Sequence, residues 1–283
     1  MKVIFIVFQY IIPQHLLSRL VGYLAETEIS WLKNLLIYQF IKHYQVNMAE
    51  AKDPEPRNYK NFNQFFTREL AEGARAICSN KLALACPADG AISQLGKISN
   101  NQIFQAKGQY YSIEKLLADT EMAARYKNGH FATIYLSPKD YHRVHMPLTG
   151  TLESMIYVPG QLFSVNQTTA ENVPNLFARN ERLVCYFATE HGPMAIILVG
   201  AMIVAGIETV WSGQAAPPTG LPKTHSYKGV SAEITVKKGD EMGRFKLGST
   251  VILLFSENTV DWQEELKAGS PMLMGEAIAA VKT

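Results

Sequence analysis

The rhythm of apolar and polar positions changes about a quarter of the way along the chain. Val3 to Ile12 is almost wholly apolar behind Lys2, and Pro13, Gln14, His15 and Arg19 then interrupt the run. Over residues 31–44, Trp31, Leu32, Leu35, Leu36, Phe40, Ile41 and Tyr44 recur at helical spacing, with Lys33, Asn34, Gln39, Lys42 and His43 on the other face. Such a helix packs on a core or lies on a membrane, and the pattern alone leaves both open. Asp53-Pro54-Glu55-Pro56 is a break. The segment Tyr59 to Leu70 then places Phe62, Phe65 and Phe66 on one helical face. From about residue 83 short apolar runs alternate with Gly, Pro and Asn, at 91–98, 102–106, 131–136, 151–158, 183–188, 194–210, 231–236 and 250–255. Only 112–126 reads as helical there. Many short strands between turn residues predict a mainly antiparallel sheet. The chain as a whole is predicted to be α+β, with a helical region over 1–60 and a β-rich domain over 61–283. The closely spaced hairpins of 228–255 suggest a flattened-barrel-like C-terminal part, without the carrier lysine that a biotin or lipoate hairpin needs.

Composition narrows the function. A chain of 283 residues suits one large domain or two small ones. A formal charge of +2 argues against nucleic acid as a partner and permits mild attraction to an anionic membrane. Three cysteines (Cys78, Cys86 and Cys185) without CxxC spacing fit a reducing compartment. The N-terminal apolar run resembles a signal peptide but lacks a small-x-small cleavage site, and it is shorter than the roughly 20 residues that span a bilayer. An interfacial helix is the expectation.

Three segments carry chemistry. Gly248-Ser249 stands just before the apolar run Val251 to Phe255. A serine hydroxyl can attack the preceding carbonyl and turn the amide into an ester. Glycine, with no Cβ, tolerates the strain that drives this shift. Elimination then yields a dehydroalanine, which hydrolyses to a pyruvoyl group. A plain turn before a strand is the alternative. The second segment is Ser137-Pro138-Lys139-Asp140-Tyr141-His142-Arg143-Val144-His145-Met146-Pro147, where an N-cap pattern predicts a short helical turn passing into extended chain. The rings of His142 and His145 then have separate tasks. A zinc site would need further ligands that no HExxH or cysteine pattern supplies, so no metal is expected. The third is Pro87-Ala88-Asp89-Gly90, whose aspartate either forms the turn or holds a histidine tautomer.

These segments and their flanks resemble the phosphatidylserine decarboxylase proenzymes of the bacterial membrane-associated type. The matching runs include Phe62-Asn63-Gln64-Phe65-Phe66-Thr67-Arg68-Glu69-Leu70, Pro87-Ala88-Asp89-Gly90, Asp140-Tyr141-His142-Arg143-Val144-His145-Met146-Pro147 and Lys246-Leu247-Gly248-Ser249-Thr250. The likeness runs in order over roughly residues 60–256. It implies a self-processing triad of Asp89, His145 and Ser249. Cleavage between Gly248 and Ser249 would give a β chain of 1–248 and an α chain of 249–283, headed by a pyruvoyl cofactor made from Ser249. The implied reaction converts phosphatidylserine to phosphatidylethanolamine through a Schiff base on that group, as a step of phospholipid biosynthesis, with His142 serving decarboxylation. The implied partners are the bilayer substrate and a second αβ unit, at the cytoplasmic face of the inner membrane. Alternatives are the same chemistry on another serine-headed lipid and a non-catalytic membrane-binding relative. A Gly-x-Ser-x-Gly hydrolase elbow is missing around Ser249.

Overall fold

The computed structural model describes residues 2–202, 206–216, 223–229, 232–246 and 249–282. Helices α1 (Lys2–Ile11), α2 (Gln14–Ala25) and α3 (Ser30–Tyr44) come first, followed by the short α4 (Phe62–Phe66). Strands β1 (Ala83–Ala85), β2 (Gly90–Lys97), β3 (Gln102–Ala106) and β4 (Gln109–Ser112) lead into α5 (Ile113–Leu117) and α6 (Thr120–Ala124). Next come β5 (His130–Leu136), β6 (Arg143–His145) and β7 (Gly150–Val158), then α7 (Gln167–Asn172) and α8 (Leu176–Arg179). The rest is strand: β8 (Arg182–Thr189), β9 (Gly192–Val199), β10 (Gly206–Thr209), β11 (Gly213–Ala216), β12 (Lys223–Ser226), β13 (Thr235–Val236), β14 (Glu241–Lys246), β15 (Ser249–Phe255), β16 (Val260–Trp262), β17 (Pro271–Met272) and β18 (Ala277–Val281).

This is an α+β protein whose strands pair antiparallel. The largest sheet runs β12-β7-β8-β9-β15-β5-β2-β17, with β13 also on β7. A second runs β11-β10-β14-β6 and a third β1-β18-β16. All seven residues of β15 are buried, because both faces of the large sheet are covered. Val251, Leu253 and Phe255 enter one core with Ile134, Leu183 and Leu198, while Ile252 and Leu254 enter the opposite core with Val184, Ile197 and Phe177. This strict alternation fixes register, since a one-residue slip would exchange the two faces. Residues 228–255 do not close a barrel among the described residues. They disperse instead, with β13 on β7, β14 between β10 and β6, and β15 between β9 and β5.

The helical region departs from the simple stripe. On α3 it is Lys33 and Ile37 that are buried, whereas Trp31 and Leu35 are exposed. The Lys33 ammonium goes inside because it donates to the Arg57 carbonyl at 2.8 Å and the Asn34 side chain at 3.0 Å. Phe40 meets Phe62, Phe65 and Phe66 of α4 edge-on, with centroids 5.1, 6.0 and 5.8 Å away. That helix is shorter than the 59–70 pattern suggested: Asn61 caps it through the Gln64 N–H at 2.9 Å, and Thr67 ends it. Helices α1 and α2 meet at 91°, and no single described helix is long and apolar enough to cross a membrane. Their outward side is apolar, with Val3, Ile4, Ile11, Leu20 and Tyr23 all more than half exposed. Inward, Gln9 and Gln14 accept the backbone N–H groups of Ser164 and Leu162 at 2.8 and 2.6 Å, so polar bonds as well as packing hold these helices on the β domain.

Candidate active site

Ser249 is the first residue of β15, opposite Leu136 of β5. Its side chain is fully buried and its hydroxyl has no hydrogen-bond partner among the described residues, a costly arrangement for a polar group. It borders a cavity of about 350 Å³ whose walls come from the N-terminal helices (Phe5, Phe40, Tyr44), from Phe66, and from the Tyr135–Pro138 and Ser164–Asn166 segments. Gly248 lies outside the described residues, and so does the geometry of its bond to Ser249.

His142 follows a tight turn in which the Asp140 carboxylate accepts both the backbone N–H and the hydroxyl of Ser137 at 2.7 Å. The predicted helical turn does not form there; the aspartate closes the loop from the other end, and extended chain follows. The His142 ring is fully buried and stacks on Phe66 at 4.1 Å between centroids. Its Nε2 lies 3.1 Å from the Ser137 carbonyl, which can only accept. The proton therefore sits on Nε2, and Nδ1 keeps an unpartnered lone pair. Burial, reinforced by the positive charge of Arg68, pushes the His142 pKa down to about 3. A histidine with an ordinary pKa near 6.5 could serve as acid or base. This one is neutral at working pH and, as a weak base, offers a hydrogen-bond acceptor.

His145 is set differently. Its Nδ1 donates to the Gly239 carbonyl at 2.8 Å, and its Nε2 accepts from the Tyr141 hydroxyl at 3.0 Å. Gly239 sits at φ +86°, in the left-handed region that favours glycine, and this turn delivers the carbonyl. Burial pushes the His145 pKa down, outweighing the Gly239 carbonyl and the negative charges of Glu241 and Asp89.

Asp89 is buried, and its carboxylate is bound by Arg75 at 2.6–3.2 Å through Nε and Nη2, and by the Met274 N–H at 2.8 Å. Arg75 also reaches Glu50 at 2.7 Å. Asp89 and His145 are thus neighbours without being bonded. The backbone N–H of His145 donates to Pro87, two residues before Asp89, and Tyr141 borders the same cavity of about 280 Å³ as Asp89. Across β6 and β14 the His142 carbonyl faces Phe245 and His145 faces Glu241. Since β14 runs towards Ser249, His142 lies at the Ser249 end and His145 farther along. The structure brings His142 and the Ser249 cavity together around Phe66, and Asp89 and His145 together around Tyr141. It records no hydrogen bond from Ser249 to either histidine.

Sequence reasoning missed three polar residues here. Arg75 had no motif around it. Tyr141 and Arg68 stood inside quoted motifs, yet only their contacts reveal what they touch: His145 Nε2 for one, and for the other a buried position beside His142.

Comparisons with known proteins place the chain in a family. The family profile described as phosphatidylserine decarboxylase matches residues 62–280, and one described as PSD matches residues 4–45, so the N-terminal helices also fall within a known pattern. The chain is similar to proteins named phosphatidylserine decarboxylase proenzyme. That of Pseudomonas putida (strain F1) is 59% identical over 98% of this chain and 97% of its own length. That of Ectopseudomonas mendocina is 58% identical over 97% of each. That of Pseudomonas aeruginosa (strain LESB58) is 57% identical over 99% of this chain and 97% of its own.

Proposed function

Because the chain belongs to the phosphatidylserine decarboxylase family, a family of decarboxylase lyases, we propose that it is made as a proenzyme that cleaves itself between Gly248 and Ser249 and then decarboxylates phosphatidylserine to phosphatidylethanolamine. The observation that carries this reading is the Ser249 hydroxyl: buried, without a partner among the described residues, on a residue that borders an apolar cavity walled in part by the N-terminal helices. A structural serine at a strand start would normally have its hydroxyl bonded.

In self-cleavage, Ser249 Oγ attacks the Gly248 carbonyl carbon and its proton goes to His145 Nε2, which lies at the end of β6 farther from Ser249 and has to approach it. The depressed pKa keeps that imidazole neutral, and the Gly239 carbonyl holds the proton on Nδ1 so that Nε2 carries the lone pair. Tyr141 must leave Nε2 for this to happen. Asp89 favours the protonated imidazole by its charge through space. The pyruvoyl group left at residue 249 supplies a ketone that acts as the electron sink for decarboxylation. The cavity fits such a group, since it has no acidic side chain and its one orphaned hydroxyl is the one consumed. His142, neutral and held behind Phe66 at the edge of that cavity, offers its Nδ1 lone pair as a hydrogen-bond acceptor to the substrate amine, which must be neutral to react. Phe66 keeps its ring in place.

The α chain stays bound after cleavage because β15 lies between β5 and β9, β17 pairs with β2, and β18 pairs with β1. The apolar outer side of α1–α3 lies on the bilayer at the cytoplasmic face, and acyl chains reach the cavity past Phe5, Phe40 and Tyr44.

Intact mass of purified wild type and Ser249→Ala tests the first half. Wild type is expected as two fragments with a blocked α chain, and the variant as one full-length chain; an intact wild type refutes self-processing. A product assay over several serine-headed lipids tests substrate choice.

A further inference from the structure

We propose that Arg68 is the binding residue for an oxyanion of the substrate's serine head group, either its phosphodiester or its carboxylate; this rests on the decarboxylase reading above. Three arginines surround the site, and two are fully used. Arg75 holds Asp89 and Glu50, and Arg143 holds Glu69 and Glu241 along with the Thr67 carbonyl. Arg68 is only 5% exposed, yet among the described residues its guanidinium has one hydrogen bond, and a long one, 3.3 Å from Nη2 to the Lys139 carbonyl. Its Nε and Nη1 are buried with no partner, and no carboxylate lies within ion-pair distance among the described residues. Phe65 supports the guanidinium at 5.5 Å.

An unpaired buried guanidinium is unfavourable, and burial accordingly pushes its pKa down. An arriving oxyanion would remove that cost. The neighbouring carboxylates do not fill the role: Asp89 and Glu50 are held by Arg75, and Asp140 by Ser137. Arg68 borders the cavity of about 280 Å³ together with Arg75, Lys139 and Tyr141, and with the carboxylates Glu50, Asp89 and Asp140, whose bonds go to Arg75 and Ser137. This cavity is polar where the Ser249 cavity is apolar, and the two share a wall. Phe66 and Pro138 border the Ser249 side, while Arg68, two residues after Phe66, and Lys139, directly after Pro138, border the other. The positive charge of Arg68 is felt at His142, which stacks on that same Phe66. A lipid with its acyl chains beside Phe5 and Phe40 and its amine at residue 249 would turn its remaining charged atoms towards Arg68. A guanidinium suits a carboxylate or phosphate through its paired donors.

Full-length Arg68→Gln and Arg68→Lys are compared with wild type in phosphatidylserine mixed micelles. Arg68→Gln is expected to self-cleave, to melt no lower than wild type, and to raise KM by about tenfold to a hundredfold with a smaller change in kcat, the loss expected for a charged hydrogen bond. Arg68→Lys should recover part of it. Glycerophosphoethanolamine, a phosphodiester without a carboxylate, and free serine, a carboxylate without a phosphate, sort the two sources: the inhibitor whose effect Arg68→Gln weakens identifies the group bound. An unchanged KM in Arg68→Gln overturns the proposal. Should that variant not fold, an unchanged KM in Arg68→Lys, which lacks the paired donors, overturns it equally. A wild type that fails to decarboxylate phosphatidylserine refutes the earlier reading instead.

Discussion

Removing Arg75 tests whether the Asp89 carboxylate is held as the structure shows. The two side chains retain only 7% and 6% of their exposure, and three hydrogen bonds join them at 2.6, 3.0 and 3.2 Å. Arg75→Ala leaves Asp89 buried with the Met274 N–H as its main remaining donor. Breaking a buried pair from one side costs about 3–5 kcal/mol, because the surviving charge stays desolvated. Removing the other partner is not equivalent. In Asp89→Ala, Arg75 keeps Glu50, which is 40% exposed, and the Ala74 carbonyl, so a cost of roughly 1–3 kcal/mol is expected. The double variant should fall short of the sum of the two by about 1–3 kcal/mol, the coupling of a direct contact. The measurement is urea unfolding in a Ser249→Ala background, which keeps one chain throughout. An Arg75→Ala cost below about 1 kcal/mol, or strict additivity, would show that Arg75 does not clamp Asp89.

Four further outcomes are expected. Stability of the Ser249→Ala chain gains nothing from its histidines above pH 6.5 and falls below it by up to about 1.4 kcal/mol per unit for each histidine whose folded pKa is depressed, because only the unfolded imidazole takes the proton; His130, His142 and His145 all qualify, and His142→Phe should reduce that slope in the urea midpoint measured against pH. His142→Ala should still cleave by intact mass yet lose most CO₂ release, and wild-type decarboxylation should show no inflection near pH 6.5 arising from His142; blocked cleavage would refute the division between the two histidines. Tyr141→Phe frees His145 Nε2, so its self-cleavage in a time course should be at least as fast as wild type. Gln14→Ala strands the buried Leu162 N–H, and limited proteolysis near Pro13 should speed up while the β domain resists.

Much of this molecule was legible in the chain. The strand runs at 91–98, 102–106, 131–136, 151–158 and 250–255 coincide with β2, β3, β5, β7 and β15 to within a residue or two, most plainly for β5, β7 and β15, which bury most of their residues and whose composition shows it. Strand β17 was not legible, and β6 and β14 were legible only as extended chain after the 137–140 turn and as part of the hairpins of 228–255, without their pairing. Their residues are polar or few, and what makes them strands is the partner they find, which lies about a hundred or more residues away for β6 and β17. Lys33 defeated the helical stripe for a related reason, since a carbonyl 24 residues on takes its charge. At the site, Asp89, His142, His145 and Ser249 stood out by motif. Their states did not. That His142 is neutral, that Arg75 rather than His145 holds Asp89, and that Arg68 is left unpaired are all consequences of burial and of contacts between distant segments.

The burial of Ser249 bears on why a ketone should stand there at all. Plain hydrolysis of the preceding bond would leave an α-ammonium at a fully buried position, charged below its ordinary pKa of roughly 8. No side chain bordering the cavity is acidic, so that charge would have no partner, and an isolated buried charge is severely disfavoured. Conversion to a pyruvoyl group removes the nitrogen and with it the charge. The backbone break itself costs little structure, because the β15 ladder begins at Ser249 and runs on through Phe255 between β5 and β9. Both effects favour completion of the sequence once the hydroxyl has attacked: the fold does not resist the cut, and the neutral end group is the one the cavity accepts. The same argument makes an uncharged side chain such as His142 the suitable companion for that group, since it adds no unpaired charge beside the cavity.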